Sequence, residues 1–291
     1  MSVSGRAPPP TRYYEWGSNV SSGASAQQAA LDAAALSDEG TERPDNEDRC
    51  AAVIDGGGWA LLVVADGVSS LPAGEVASQM AVDIIPRSFR EQDPSVSLTR
   101  RMARAVQEAN ISIHDLGLAV PELRGMATTV TAAVVRGHEL CAAHVGDCRL
   151  LLVRGGTATQ LTKDHTVAGE RARLGLLRKE RLAEHPGRYQ LTRSLGRELI
   201  VAVDQLTTTV GDGDRLVVCS DGLHGVLPEG EIARLAAAGD AAAACRTLID
   251  AANAVGTPDN LTVAVLAVAG APPPPARRGL LDRLRGLAGR R

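Results

Sequence analysis

Short apolar runs separated by turn residues set the pattern of the chain. Leu61-Leu62-Val63-Val64-Ala65 is long enough for one buried strand, and it stops abruptly at Asp66-Gly67. Leu216-Val217-Val218-Cys219-Ser220 repeats the arrangement and ends in Asp221-Gly222. Thr257-Pro258-Asp259-Asn260 sets a third aspartate just before the apolar run 261–268, and Arg43-Pro44-Asp45-Asn46-Glu47-Asp48 precedes the strand-like stretch 50–54. The glycines of Asp55-Gly56-Gly57-Gly58 read as the turn of a β-hairpin. Residues 75–85 have helical spacing with Val76, Met80 and Ile84 on one face, and Pro86 marks the end of that helix. Residues 98–116 form a second amphipathic helix that buries Met102, Ala105, Val106, Ala109 and Ile113 and leaves its arginines in water. Strands follow at 127–135 and 140–145, joined through Arg136-Gly137-His138-Glu139, and 150–153 leads into a turn at Gly155-Gly156. Strands in series without strict β-α-β alternation predict an α+β fold with antiparallel sheets and helices outside.

The two ends read differently from the middle. Residues 1–35 begin with Ala7-Pro8-Pro9-Pro10 and predict a flexible segment, in which Tyr13, Tyr14 and Trp16 could dock as an edge strand. Residues 27–36 read as a helix or an Ala-rich connector. A single domain then spans 36–270. Ala271-Pro272-Pro273-Pro274-Pro275 makes a stiff break, and within 271–291 a stripe of Leu280, Leu281, Leu284 and Leu287 is surrounded by arginines, Arg283 and Arg285 among them. Such a basic amphipathic tail suits peripheral contact with an anionic membrane or a partner, and equally a solvated end.

Composition narrows the function classes without naming one. The 291 residues are 44% hydrophobic, enough for a sizeable core. A net charge of -3 and 2% aromatics argue against a nucleic-acid surface. The longest apolar runs are strand-sized and the N-terminus lacks a secretory pattern, so the expectation is a cytoplasmic protein without a membrane span. Five cysteines, at 50, 141, 148, 219 and 245, form no C-x-x-C pair and read as reduced, mostly buried thiols.

Asp-Gly alone is an ordinary turn signal. Four acidic stations at strand ends carry more weight, because a charge at the end of a dry strand needs a cation or a metal ion. Oxygen donors without clustered His or Cys suit hard cations, magnesium or manganese.

The motifs and their order resemble the metal-dependent protein phosphatases, the type-2C serine/threonine phosphatases, in their bacterial form. Arg43-Pro44-Asp45-Asn46-Glu47-Asp48 resembles the first motif of that family, and the segment from Ala65 to Ser78 its D-G-x-G-G-x-x-x-G-E-x-A-S. Met126-Ala127-Thr128-Thr129 is similar to M-G-T-T, and Val145-Gly146-Asp147-Cys148-Arg149 to V-G-D-S-R. Leu161-Thr162-Lys163-Asp164-His165-Thr166 and Leu191-Thr192-Arg193-Ser194-Leu195-Gly196 follow, and Cys219-Ser220-Asp221-Gly222-Leu223 and Pro258-Asp259-Asn260-Leu261-Thr262 close the series.

The resemblance implies a four-layer α-β-β-α sandwich of two antiparallel sheets with metals in the cleft between the sheet edges. It implies hydrolysis of phosphoserine and phosphothreonine by a water bridging two Mn2+ or Mg2+ ions, opposing a protein kinase, in a monomer. By resemblance Asp66 bridges both ions, the Gly67 carbonyl binds one, Asp221 and Asp259 bind the other, and Glu47 and Asp48 act directly or through waters. Arg43 matches the phosphate-binding arginine, and Asp147 the position that joins Asp221 at a third, weaker ion in some members. Residues 166–190, rich in arginine, correspond to the flap beside the active site that helps choose substrates; their basic character suits acidic phosphoprotein segments.

Some positions depart from the family pattern. Val68-Ser69-Ser70 replaces x-Gly-Gly, Val68 stands where some relatives carry an acid histidine, and Ala127 replaces a glycine. Cys148 replaces a serine and reads as an isostere, with a redox-sensitive thiol as the alternative. His165 and His224 read as structural, and Ser220 is not the nucleophile. Two other functions fit the same fold: a catalytically weak pseudophosphatase that binds phosphoproteins, and a regulatory phosphatase of the sigma-factor pathway.

Overall fold

Period-two alternation sorts the apolar side chains into layers. On β3 (Trp59–Asp66), Leu61, Val63 and Ala65 face one core, while Ala60, Leu62 and Val64 face another. The computed structural model describes residues 30–270. Docking of Tyr13, Tyr14 and Trp16 and the nature of the 271–291 tail fall outside the described residues.

Two five-stranded antiparallel sheets stack face to face. One runs β1 (Ala30–Asp38), β10 (Leu261–Ala269), β9 (Arg215–Cys219), β6 (Arg149–Arg154) and β7 (Thr157–Gln160). The other runs β2 (Asp48–Asp55), β3, β4 (Val130–Arg136), β5 (Glu139–Val145) and β8 (Asp204–Thr209). Helices α1 (Gly74–Glu91) and α2 (Leu98–Ala119) cover the second sheet. On the first sheet lie α5 (Glu229–Ala236) and α6 (Ala241–Val255), while the short α3 (Val167–Arg173) and α4 (Asp221–His224) belong to the site region. The result is the expected α-β-β-α sandwich with three apolar layers between its four tiers.

The middle layer is built from Leu62, Leu150, Leu216 and Leu266 interleaved with Ala60, Ala133, Ala142 and Ala264. Small residues opposite large ones let two sheets approach closely. Asp66 shares the parity of Ala60, Leu62 and Val64, so alternation places it at the end of this inter-sheet row. Asp48 faces it directly in the register of β2 against β3.

Three local expectations change. The sequence reads 27–36 as a helix or connector with a domain boundary at 35, and residues 27–29 lie outside the described residues. Instead β1 begins at Ala30 and pairs residue for residue with β10, from Ala30 opposite Ala269 to Asp38 opposite Leu261. Backbone pairing with an apolar neighbour overrides the helix preference of alanine. Second, α1 continues through Pro86 to Glu91, because Ile85, Pro86 and Phe89 are all buried and packing offsets the lost hydrogen bond. Third, Arg101 is not in water. It is 3% exposed, donates through Nη2 to the Phe89 carbonyl at 2.6 Å, and lies over the Phe89 ring at 4.1 Å. Among the described residues no helix is long and apolar enough to cross a membrane.

The fully buried Leu150 and the half-exposed Ile54 make a direct comparison. Leu150→Ala should cost about 2 to 5 kcal/mol in chemical denaturation, and Ile54→Ala less than about 1 kcal/mol; equal losses would contradict the inter-sheet layer described here.

Candidate active site

The cleft opens where the strands of both sheets run out. Asp66 ends β3, Asp221 follows β9 as the first residue of α4, Asp259 precedes β10, and Asp147 lies in the turn between β5 and β6. These four line a cavity of about 400 Å³ together with Gly67 and Arg43. Of the remaining expected site residues, Asp48 is 2% exposed and sits against Asp66, and Glu47 is half-buried beside them; neither lines the cavity wall.

Two glycines allow the convergence. A Cβ on Gly67 would fall 2.5 Å from the Gly74 carbonyl carbon and 2.8 Å from the Glu47 oxygen. On Gly222 it would fall 2.0 Å from the Asn260 oxygen. Only hydrogen fits at either contact, so the Asp-Gly pairs serve close packing here and not hairpin turns.

Asn260 ties the pieces together. Its Oδ1 accepts from the Glu47 amide at 2.9 Å, and its Nδ2 donates to the carbonyls of Glu39 and Asp45, both at 2.9 Å. One side chain thus locks the 39–47 loop to the strand that carries Asp259. The Asp66 carbonyl accepts from Thr128 Oγ1 at 2.8 Å and from the Thr129 amide at 2.8 Å. The Glu47 carbonyl accepts from Ser78 Oγ at 2.5 Å and from the Gly67 amide at 3.1 Å. Neither Asn260 nor Thr128 stood out as an organiser in the sequence, because an amide and a hydroxyl in a turn usually serve local hydrogen bonds.

Electrostatics set this cleft apart. Burial and then the neighbouring Asp48, Asp221 and Asp147 charges hold the Asp66 carboxyl well above its usual range. Burial and then Asp147, Asp259 and Asp48 do the same to Asp221. Burial with the Asp164 charge lifts Asp147 to about 7, and burial lifts Asp48 to about 6. Asp66 and Asp221 are half-buried and line the cleft, so their charge has less water to spread into than at an open surface.

Arg43 is the cation the protein itself provides. Its Nη2 donates to Asp259 Oδ2 at 2.9 Å and its Nε to the Pro258 carbonyl at 3.2 Å, so the expected phosphate ligand is here paired with an expected metal ligand. One guanidinium does not balance five aspartates.

The donor set fits hard divalent cations. Asp48 Oδ2 is buried without a hydrogen-bond partner, an atom that a cation would satisfy. No imidazole competes: His224 Nε2 donates to the Asp147 carbonyl at 3.0 Å, and His165 Nδ1 accepts from the Gly146 amide at 3.0 Å. Burial pushes His224 down to about 4, so it is neutral. Both histidines therefore act structurally, supporting the turn that carries Asp147. Among the described residues no three acidic, histidine or cysteine side chains already close on one point; the carboxylates ring the cleft instead.

The other predicted features separate clearly. Ser220 is fully buried and its Oγ accepts from the Thr262 amide at 3.0 Å, so it cannot attack a substrate. Cys148 is fully buried beside Thr129, at 3.1 Å, and burial pushes its thiol well up, which favours the isostere reading over a reactive thiolate. Where serines replace glycines, the loop 68–72 leads into Ala73, a non-glycine residue at φ 53° immediately before α1. The stretch 166–190 is a short helix, a 3-10 turn and loops, and it brings Tyr189 to the cleft.

Comparison with known proteins places this cleft in a class. The family model described as Protein phosphatase 2C matches residues 41–264. The chain belongs to the protein phosphatase 2C family. Within it, the chain is 33% identical over 230 residues to the serine/threonine phosphatase Stp of Listeria monocytogenes, covering 78% of this chain and 91% of that one. Its fold superposes on the serine/threonine phosphatase PstP/Ppp of Mycobacterium tuberculosis with a TM-score of 0.73 at 32% identity, covering 82% of this chain and 99% of that one. The catalytic domain of PstP in complex with two manganese ions also superposes, with a TM-score of 0.73 at 32% identity, over 83% of this chain and 100% of that one. The chain is thus a phosphoprotein phosphatase of the bacterial serine/threonine type.

Two measurements probe the cleft without substrate. For acids held above their usual pKa, the folded state binds more protons than the unfolded one, so stability is lost as pH rises from the unfolded value through the folded one. In chelator, the melting temperature should therefore fall by several degrees between about pH 5 and about pH 8, through the values of about 6 and about 7 for Asp48 and Asp147. Manganese should flatten that slope, and a chelated protein with no slope would mean that the carboxylates are not crowded. Separately, Ala73→Gly should raise stability by about 0.5 to 1 kcal/mol by relieving the left-handed backbone at that residue.

Proposed function

We propose that this enzyme removes phosphate from phosphoserine and phosphothreonine side chains of proteins and opposes a protein kinase. The observation that carries the reading is the excess of buried and half-buried carboxylate around one cleft, with Arg43 at its rim. Phosphate monoesters hydrolyse very slowly unaided, so the site must neutralise phosphoryl charge and provide a nucleophile near neutral pH.

Asp66, the Gly67 carbonyl, Asp221 and Asp259 would hold two Mn2+ or Mg2+ ions, with Glu47 and Asp48 supporting them directly or through waters. Asp147 and Asp221 would hold a third, weaker ion. When bound, such ions supply Lewis acidity that neutralises phosphoryl oxygens and makes hydroxide available near neutral pH. The two manganese ions in the PstP catalytic domain support this assignment by similarity.

The chain's own groups do the rest. Arg43, a planar fork at the rim, orients the phosphate, and its bond to Asp259 holds it ready there. Asn260 and Thr128 keep the strand ends from spreading under the repulsion of their aspartates. With Ser220 buried and Cys148 protonated, neither side chain offers the nucleophile for a covalent phosphoenzyme, which favours direct attack by water. The retained carboxylates speak for turnover and against a binding-only role. Phosphorylated proteins are the substrates, met by the enzyme as a monomer in the cytoplasm.

Hydrolysis of para-nitrophenyl phosphate should require manganese or magnesium and stop in chelator. Asp66→Asn and Asp221→Asn should each lower kcat by about a hundredfold or more, and Arg43→Ala should chiefly raise KM, by about tenfold. Full activity of the Asp66 variant would remove that residue from the metal site.

A further inference from the structure

The segment 167–190 carries Tyr189 into the wall of the cleft, next to Leu191, yet it has little apolar anchorage of its own. In α3 only Ala168 is buried, and Leu174, Leu176 and Tyr189 are 61%, 72% and 60% exposed. Backbone bonds hold its base: Val167 N to Gln190 O at 2.9 Å and Ala168 N to Gly187 O at 3.1 Å. Thr192 N ties that base to the His165 carbonyl at 2.8 Å, and a guanidinium adds a side-chain link to the sheet edge. Arg193 Nη1 donates to Asp204 Oδ1 at 2.7 Å and to the Ala202 carbonyl at 3.1 Å, while Nη2 reaches Glu170 Oε1 of α3 at 3.5 Å.

Asp204 opens β8, whose partner β5 runs on into Gly146 and Asp147. Its other oxygen, Oδ2, faces His165 Nε2 at 3.2 Å, and His165 is bonded to Gly146 through both its ring Nδ1 and its main-chain amide. Arg193 therefore joins two bodies: the segment that walls the cleft and the sheet edge that presents Asp147. A lysine could satisfy one of these carboxylates as a point charge but could not span both with a planar fork.

We infer that Arg193 is a positioning residue that sets the pose of segment 167–191 over the cleft and thereby the fit of the phosphoprotein chain beyond its phosphate. This rests on the phosphatase reading of the site. A small aryl phosphate reaches only the cleft floor and does not sense the pose. A phosphopeptide must lie along Tyr189 and Leu191 and does.

The test compares wild type with Arg193→Lys, Glu170→Gln and Asp204→Asn on a phosphothreonine peptide and on para-nitrophenyl phosphate, in manganese. All three variants should raise KM for the peptide about five- to tenfold, a loss on the scale of one charge-assisted hydrogen bond, while kcat and KM for the aryl phosphate stay within about twofold. Tryptic cleavage at Arg178 or Arg181 should also be faster in each variant than in wild type, which reads the pose without any turnover. Glu170→Gln leaves the sheet edge untouched, so it reports on the clasp even where another variant folds poorly; because Glu170 Oε2 also accepts from Arg173 Nε at 2.8 Å, Arg173→Ala is the control and should leave the peptide KM within about twofold. Equal loss on both substrates, or unchanged peptide KM with unchanged proteolysis, overturns the inference. Wild type without metal-dependent hydrolysis of the aryl phosphate would instead overturn the underlying phosphatase reading, and the proteolysis comparison would then decide the clasp alone.

Discussion

Mutual repulsion among buried carboxylates is the constraint around which the molecule is organised. Asp48, Asp66, Asp147 and Asp221 each hold their proton more tightly than a free side chain does, because burial removes water and the neighbours are of like charge. Left to itself, such a cluster would push the strand ends apart. Each aspartate instead leaves a strand whose other residues are locked into an apolar layer, and Asn260 spans the gap between them. The energy of the middle layer is in effect spent on holding charges together until cations arrive.

That division of labour explains why the strand ends could be read from the sequence. An apolar run interrupted by Asp-Gly is a local pattern, whereas the inter-sheet row that Asp66 ends shows only in the fold. The resemblance of ordered motifs supplied the family. Convergence of the aspartates in one cavity could not be read from any single motif, because it depends on the pairing order of strands that lie far apart in the chain.

Where local reading differed from the fold, a tertiary partner decided the outcome. Ala-rich residues near position 30 became β1 because β10 offered a complete ladder. Pro86 stayed inside α1 because Ile85 and Phe89 on either side are buried. Arg101 left the solvent because the Phe89 ring faces its charge and the Phe89 carbonyl accepts from its Nη2. The strand β8, Asp204–Thr209, is too polar to show alternation, and it forms by pairing with β5. The partners of β1 and β8 lie too far away in sequence for periodicity to register them.

The ladder between β1 and β10 also governs when the enzyme can exist. Ala30 and Ala269 are neighbours in space but stand at opposite ends of the described chain. A ribosome must therefore release nearly the whole domain before Asp259 and Asn260 can close onto the 39–47 loop. Of the four aspartates that line the cleft, Asp66 and Asp147 precede β9, Asp221 follows it, and Asp259 comes last of the four, so the domain gains its hydrolytic capacity in one late step of its synthesis.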